Sequence, residues 1–426
     1  MEAVLTPTNV KDRFDVYRFF NGQALTAKEG LDSRRLKLPL VKSFLLEHVS
    51  SRNGGTPKPV PQIFSDMGCS LQPVDDCFFT VKQPVTDENG QTSVQPVGYI
   101  ETYHERFFAF YTMEGSQEAK RRVDNWIKGS PDLDNAWFSS QLLQLLWDQD
   151  VSCRGDRKFG KMVFRHKSIF EVSDDGEDVS DASDEFDSIR SEASDEHGGP
   201  EPEQRNANFT MGDRIGRIRG VLENLQSEYS PLYALYTLRF PSQTGRGGHD
   251  LYQHGQVTNR SDSFEDHRNV VRYLYRFYKS VLEATEDVAW QETESDNLLS
   301  HGESYRGGVP LIVTFDEELD QETFDRWMSL AFTKRNVFRL WGIPMRLGPG
   351  KVHVYGADRH LWQPIDIEFS KRGVVARLPK GTCGNTFHRL VTNIQHYVCP
   401  KVTAWLGNRE FRKVAGNVRS EDHGEG

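Results

Sequence analysis

An acidic segment divides this chain of 426 residues and places the strongest limit on how it can fold. Residues 171–203 contain fourteen Asp or Glu, one Arg and few aromatic or β-branched side chains. Such a composition cannot bury enough apolar surface to offset the conformational entropy lost on folding. We therefore expect a disordered acidic insert over 171–207, with folded lobes on either side of it.

The flanking sequence predicts a multi-lobed α+β protein with mixed or antiparallel sheets and flanking helices. We expect an N-terminal α+β lobe (1–170), a middle section of helix, strand and polar linker (208–308), a basic C-terminal α+β module (309–415) and a disordered tail (416–426). Near the N-terminus, the aromatic run FDVYRFF (14–20) is suited to a strand, and LPLVKSFLLEHV (38–49) is typical of a short helix.

The C-terminal module has the clearest order of predicted elements. Apolar runs separated by Gly and Pro predict β-α-β-β-β-β-α-β, which is close to a ferredoxin-like plan with an added hairpin. Helices on one face of such a sheet would leave the other face open for a ligand.

Basic residues are concentrated in the same module. Residues 334–419 contain sixteen Lys or Arg against four Asp or Glu, although the whole chain has a net charge of −10. A basic module and an acidic insert on one chain favour an anionic partner and an internal competitor for it. The preferred interpretation is a non-enzymatic binding or regulatory protein that binds a polyanion, with nucleic acid as the first choice.

The sharpest candidate for an anion site is RLPKGTCGNTFHRL (377–390). An apolar strand runs into a loop with Gly381 and Gly384 and then into a helix, whose free N–H groups and dipole favour an anion. The residues predicted to bind it are Arg377, Lys380, Thr382, Asn385, Thr386, His388 and Arg389. The alternative is that Asn385 or Thr386 only caps the helix.

A second group of candidates lies on a predicted strand. Lys351, His353 and Tyr355 share one face of it, and Trp341 and Trp362 are near in sequence. Proteins that bind single strands combine basic and aromatic side chains in this way. The alternative is that Tyr355 and Trp362 belong to the core.

Two other functions stay open at this level. An enzyme could hold a phosphorylated or carboxylated small molecule at 380–389, with Cys383 or His388 active, but a small buried Cys in a turn is the more frequent arrangement. The chain could also be a protein-interaction subunit of a larger complex. No spacing typical of a catalytic or metal site is present, so we expect no catalytic residues, no bound metal and no cofactor.

The cysteine pattern and the N-terminal sequence indicate the cellular compartment of the protein. Five cysteines without a C-x-x-C pair argue against a disulfide framework. We find no signal-peptide pattern and no apolar run of membrane-spanning length. The sequence therefore predicts a cytoplasmic protein that does not associate with a membrane.

Overall fold

The computed structural model describes residues 10–33, 39–49, 58–86, 90, 92–172, 206–244, 246–294, 304–333 and 337–422. The predicted acidic insert lies outside the described residues over 173–205, as does the end of the predicted tail, 423–426. The predicted disorder of these two ranges therefore stays a prediction.

The described residues form an α+β fold with two large sheets, as predicted. The helices are α1 (Arg13–Ser33), α2 (Val60–Asp66), α3 (Ser116–Gly129), α4 (Ser140–Leu146), α5 (Ile215–Glu228), α6 (Phe264–Ala289), α7 (Gln321–Ala331), α8 (Asn385–Tyr397) and α9 (Phe411–Asp422). The first sheet contains β1 (Lys42–His48), β2 (Ser70–Asp75), β3 (Phe78–Thr86), β4 (Thr92–His104), β5 (Phe107–Thr112), β6 (Leu133–Asn135), β7 (Phe159–His166), β8 (Ala207–Arg214), β9 (Leu235–Pro241), β10 (Gly248–Tyr252) and β11 (Gln256–Asn259). The second contains β12 (Trp290–Glu294), β13 (Ser304–Arg306), β14 (Leu311–Phe315), β15 (Leu340–Gly342), β16 (Met345–Gly348), β17 (Lys351–Asp358), β18 (Gln363–Ser370), β19 (Gly373–Pro379), β20 (Val402–Leu406) and β21 (Arg409–Glu410).

The first sheet combines the predicted N-terminal lobe and the middle section. Its strand order is β2-β3-β4-β5-β1-β11-β10-β9-β7-β8, and β6 also pairs with β1. Strand β1 therefore joins the two segments, because its neighbours β5 and β11 come from opposite sides of the acidic segment. All seven residues of β1 are buried.

Two local predictions near the N-terminus are wrong. Residues 42–48 form strand β1 rather than a helix. Both faces of this strand are buried, so its sequence KSFLLEH lacks the alternation of apolar and polar residues that marks a half-buried strand. The run 14–20 lies in helix α1 rather than in a strand. Val16, Phe20 and Ala24 recur every four residues and are buried, which is the spacing of one helix face.

The second sheet has the predicted ferredoxin-like plan. Strands β20, β14, β19 and β18 are neighbours in this order, all antiparallel, and α7 and α8 supply the two crossovers. Strand β17, with β15 and β16 beyond it, forms the added hairpin at the edge. Burial alternates along β14, because one face packs on the helices and the other stays open.

A hairpin holds both ends of the acidic segment. Strands β7 and β8 pair along their whole length, from Phe159 opposite Arg214 to His166 opposite Ala207. Beyond the last pair, the side chain of Asn206 accepts a hydrogen bond from the N–H of Ser168 at 2.8 Å. The acidic segment therefore leaves and re-enters the fold at one point.

The C-terminal tail is more ordered than predicted. Helix α9 continues to Asp422, past the predicted boundary at 416. Phe411 and Ala415 of this helix are buried, and the ring of Phe411 contacts the rings of Phe387 and His388 of α8. The helix therefore closes the core that the two sheets share.

Candidate functional site

The predicted anion-binding loop and helix lie inside the molecule. Thr382, Asn385, Thr386, His388 and Arg389 are all buried. These five predicted site residues are therefore not accessible to an external anion at the surface. The helix packs where the first sheet, helix α6 and the second sheet meet, so its polar side chains face other parts of the chain.

The start of helix α8 does face an anion, but the anion is a side chain of the same molecule. Glu286 of α6 accepts the N–H of Gly384 at 2.8 Å. A Cβ atom at Gly384 would lie 2.9 Å from Cγ of Glu286, so this close approach requires glycine. Free N–H groups at a helix start favour a carboxylate in this way.

One arginine completes the surroundings of Glu286. Arg106, in the turn between β4 and β5, contacts Oε1 of Glu286 at 2.7 Å and Oε1 of Glu47 at 2.5 Å. The thiol of Cys383 donates to Oε1 of Glu47 at 3.2 Å. We call Glu47, Arg106, Glu286, Cys383 and Gly384 the Arg106 cluster. It joins β1, the β4–β5 turn, α6 and the loop before α8.

A second buried group, the Arg389 cluster, consists of Asp134, Asp358, Thr386 and Arg389. The guanidinium of Arg389 donates to Asp134 of β6 and to Asp358 of β17, and the Thr386 hydroxyl donates to Asp358 at 2.6 Å. Burial alone would raise the pKa of Asp358, but the Arg389 guanidinium and the Thr386 hydroxyl hold it below its usual value. This cluster joins the second sheet to the first.

Neither Asn385 nor Thr386 caps helix α8. The N-cap residue is Gly384, and no side chain bonds to the helix start as a cap. The Asn385 amide instead donates to the carbonyl of Asn135 at 2.8 Å and accepts from the hydroxyl of Tyr278. The capping alternative is therefore wrong as well.

The surroundings of Cys383 and His388 do not activate a nucleophile. Burial, followed by the charge of Glu47, raises the pKa of the Cys383 thiol far above its ordinary value. Burial, followed by the charge of Arg106, lowers the pKa of His388 to about 3. The His388 ring packs against Tyr278 and Phe411, and its nitrogens have no hydrogen-bond partner within the described part of the chain. The thiol therefore stays protonated and the imidazole stays neutral.

His388→Phe should make the protein less sensitive to acid. Below pH 6.5 the unfolded chain protonates His388 and the folded chain does not, so stability falls as the pH drops toward 3. At pH 5 this linkage amounts to about 2 kcal/mol. Urea unfolding at pH 7.5 and pH 5 should show a smaller loss of stability in His388→Phe than in wild type. His104→Gln, at an exposed histidine, serves as the control and should lose as much as wild type.

The predicted sheet residues do lie on one face. Lys351 and Tyr355 are exposed and His353 is half-buried, whereas Val352 and Val354 between them are buried. Two carboxylates of β18 share this face: Lys351 bonds to Glu368 at 2.8 Å, and Asp366 lies 3.6 Å from His353 and 3.5 Å from Arg377. The basic groups of the face therefore have internal partners.

The same pairing extends over the basic module. Cations that the sequence analysis assigned to an anionic partner form ion pairs with carboxylates of the chain. These pairs are Lys380–Glu292, Arg346–Asp325, Arg372–Glu318, Lys401–Asp316 and Arg412–Asp148. Much of the positive charge of the module is thus neutralised within the fold.

The open face carries an apolar feature that the sequence analysis missed. Strands β15 and β16 pair only with β17 among the described residues and form the edge of the second sheet. We call the alternating large side chains over 341–347, in these strands and the link between them, together with Tyr355, the apolar strip. Its exposed fractions are 56% for Trp341, 80% for Ile343, 52% for Met345, 55% for Leu347 and 52% for Tyr355. The alternation over 341–347 is the sequence signal that could have revealed it.

The strip ends beside a strained tryptophan. Trp362, in the turn between β17 and β18, is 64% exposed, so it and Tyr355 are not core residues as the alternative prediction had it. Its φ of 52° lies in the left-handed region, which bulky residues rarely adopt. Such conformations cluster at functional contacts.

A groove with basic and aromatic walls lies on helix α6, away from all predicted site residues. It has a volume of about 850 Å³ and runs between α6, the end of β4 and α9. Its walls include Tyr103 and His104 of β4 and Arg272, Tyr275, Arg276 and Lys279 of α6. We call it the α6 groove. Its cations are spaced at i, i+4 and i+7, a pattern that is visible in the sequence.

The described ranges lack both a metal-binding cluster and a helix suited to cross a membrane. They contain no group of three or more His, Cys, Asp or Glu side chains that could hold a metal ion. Within the same ranges, no helix combines the length and apolar character needed to cross a bilayer.

Comparison with known proteins places this fold in a family. The sequence model of the MJECL33-like proteins matches residues 6–197 and 227–412, so the chain belongs to this family. It is similar to the uncharacterised protein MJECL33 of Methanocaldococcus jannaschii, with 23% identity over 384 residues, which is 86% of this chain and 87% of the relative. No solved structure matches.

Proposed function

We propose that this protein is a non-enzymatic interaction subunit that binds a protein partner through the apolar strip. The observation that carries the proposal is the exposure of Trp341, Ile343, Met345 and Leu347 in one row. Contiguous apolar surface of this kind on a folded protein marks an interaction site. A role in a larger complex was one of the alternatives open from the sequence.

The backbone of the strip supports the same proposal. Strand β16 pairs with β17 on one side, and no other described strand pairs with its outer edge. An open edge with apolar side chains is a template for an added strand. We therefore propose a partner that supplies an extended segment, with apolar side chains facing the strip. Such a strand would contribute main-chain hydrogen bonds, and contacts with the exposed side chains of the strip would contribute specificity.

Binding of a polyanion by the basic module stays a proposal with less support. The acidic segment could still compete for such a ligand, but Lys351, Arg377 and Lys380 already have carboxylate partners. Arg389 is buried between two aspartates. A cytoplasmic location stays a prediction from the sequence.

The double substitution Ile343→Lys/Met345→Lys should abolish partner binding and leave the fold intact, because both side chains are exposed. Affinity purification from the native host, with nuclease added, should recover a partner with wild type and not with the variant. With the purified partner, the dissociation constant should rise by about 30-fold or more, the effect of losing a central contact.

Val94→Lys provides the matched control, since Val94 is an equally exposed apolar residue on β4 of the first sheet. It should bind the partner as wild type does. Equal recovery of the same proteins by all three forms, or recovery that disappears with nuclease, would remove the proposal. Recovery that disappears with nuclease would make nucleic acid the preferred ligand again.

A further inference from the structure

The α6 groove has the size and the wall chemistry of a ligand site. Its volume of about 850 Å³ falls within the range of small-molecule pockets. It lies on the first sheet and α6, whereas the apolar strip lies on the second sheet, so the two surfaces are separate.

The walls of the groove are positively charged. Arg272, Arg276 and Lys279 line it, and no carboxylate does. Behind the wall, one carboxylate, that of Glu101, accepts from both Arg268 and Arg272, which leaves one positive charge in excess. Lys279 pairs with Glu283 at 2.8 Å.

Arg276 is the cation best placed to meet a ligand. Its side chain is exposed at the groove, and it forms no ion pair within the part of the chain that the structure describes. Its neighbour Tyr275 is half-buried. A guanidinium offers paired donors that match a phosphate, and it keeps its charge at any physiological pH.

The aromatic side of the groove is held in place by its neighbours. The rings of Tyr103 and Tyr275 stack with centroids 4.9 Å apart, and the guanidinium of Arg272 lies 5.9 Å from the Tyr103 centroid. The Tyr103 and Tyr111 hydroxyls bond to each other, and Tyr111 donates to Glu101 at 3.1 Å. Arg272 and the two rings are thus held by one network before any ligand arrives.

We propose that the α6 groove binds a nucleotide, with its phosphate on Arg276 and Lys279 and its base against the Tyr103–Tyr275 pair. The guanidinium of Arg276 and the ammonium of Lys279 suit the phosphate, and tyrosine rings suit a planar base. A free nucleotide and the end of a nucleic-acid strand share this chemistry. The proposal does not rest on partner binding by the apolar strip.

Calorimetric titration of the full-length protein at about 50 mM NaCl should test it, because screening is weak at that salt. The probes are AMP, a 5′-phosphorylated single strand of thymidines, and adenosine as the ligand without phosphate. AMP or the strand should bind, and adenosine should bind at least about tenfold more weakly. Tighter binding of AMP than of the strand would identify a free nucleotide as the ligand, and the reverse would identify a strand end.

Arg276→Gln should weaken binding of the better probe by about tenfold or more, the usual effect of a charge-assisted hydrogen bond. Arg217→Gln, at an exposed arginine of α5, provides the matched control and should bind as wild type does. The strip variant Ile343→Lys/Met345→Lys should also bind the nucleotide normally, which separates this proposal from the proposed function. Absence of binding by both AMP and the strand, or unchanged affinity in Arg276→Gln, would overturn it.

Discussion

Arg389→Leu should lower the free energy of unfolding by about 4 kcal/mol, the typical loss when one partner of a buried ion pair is removed. The substitution removes the cation that the buried carboxylates of Asp134 and Asp358 share, and Asp134 keeps a longer ion pair with Arg339 at 3.4 Å. Both lie where the two sheets meet, so we expect the contact between the sheets to weaken first. Urea unfolding followed by tryptophan fluorescence measures the loss.

Two further sets of variants test whether the loss in Arg389→Leu comes from the buried carboxylates that it leaves behind. Arg372→Leu removes an exposed arginine paired with Glu318 and should cost less than about 1 kcal/mol. Adding Asp134→Asn and Asp358→Asn to Arg389→Leu should recover part of the loss, because neutral amides replace the unpaired charges. If Arg389→Leu is as stable as Arg372→Leu, the ion pairs contribute nothing to the fold. Arg389→Lys, which keeps the charge, covers the case in which the leucine variant does not fold.

Arg106→Leu should cost about 3–5 kcal/mol for the same physical reason at the other cluster. Glu47 and Glu286 would both lose the cation that they share, while Glu286 would still accept the N–H of Gly384. We therefore expect the loop before α8 to open, which hydrogen exchange at Gly384 and Asn385 would report as lost protection.

Glu286→Gln tests whether the ion pair with Arg106 or the hydrogen bond from the Gly384 N–H contributes more to stability at this cluster. The amide oxygen can still accept the N–H of Gly384, while Arg106 retains Glu47 as its carboxylate. Its loss of stability should be smaller than that of Arg106→Leu. Arg121→Leu, at an exposed arginine of α3 paired with Glu118, provides the surface control. Equal stability of Arg106→Leu and Arg121→Leu would contradict the prediction.

The overall fold class was predictable because its signals are local. The apolar runs over 309–406, separated by Gly and Pro residues, predict the strands and helices of the second sheet and their order. The wrong prediction at 42–48 has a tertiary cause, whereas the helix over 14–20 has a local signal in the four-residue spacing of Val16, Phe20 and Ala24. Both faces of strand β1 are buried although it contains Lys42, Glu47 and His48, and the sequence alone does not show how many faces a run will bury.

The site was harder to predict because charge pairing acts over long sequence distances. Residues 370–408 contain no Asp or Glu, and several of their donors contact carboxylates elsewhere in the chain. The anions are Glu47, Asp134 and Glu286, which lie far away along the chain. No local pattern distinguishes donors that meet an internal carboxylate from donors that meet a ligand.

Because β7 and β8 pair beside both ends of the acidic segment, packing of the core does not depend on the length of that segment. Both ends of 173–205 are fixed by one pair of strands, so no other part of the fold depends on the length of the segment. Doubling a loop costs only about 0.6 kcal/mol in closure entropy. A change in the length or charge of this stretch should therefore require no repacking of either sheet.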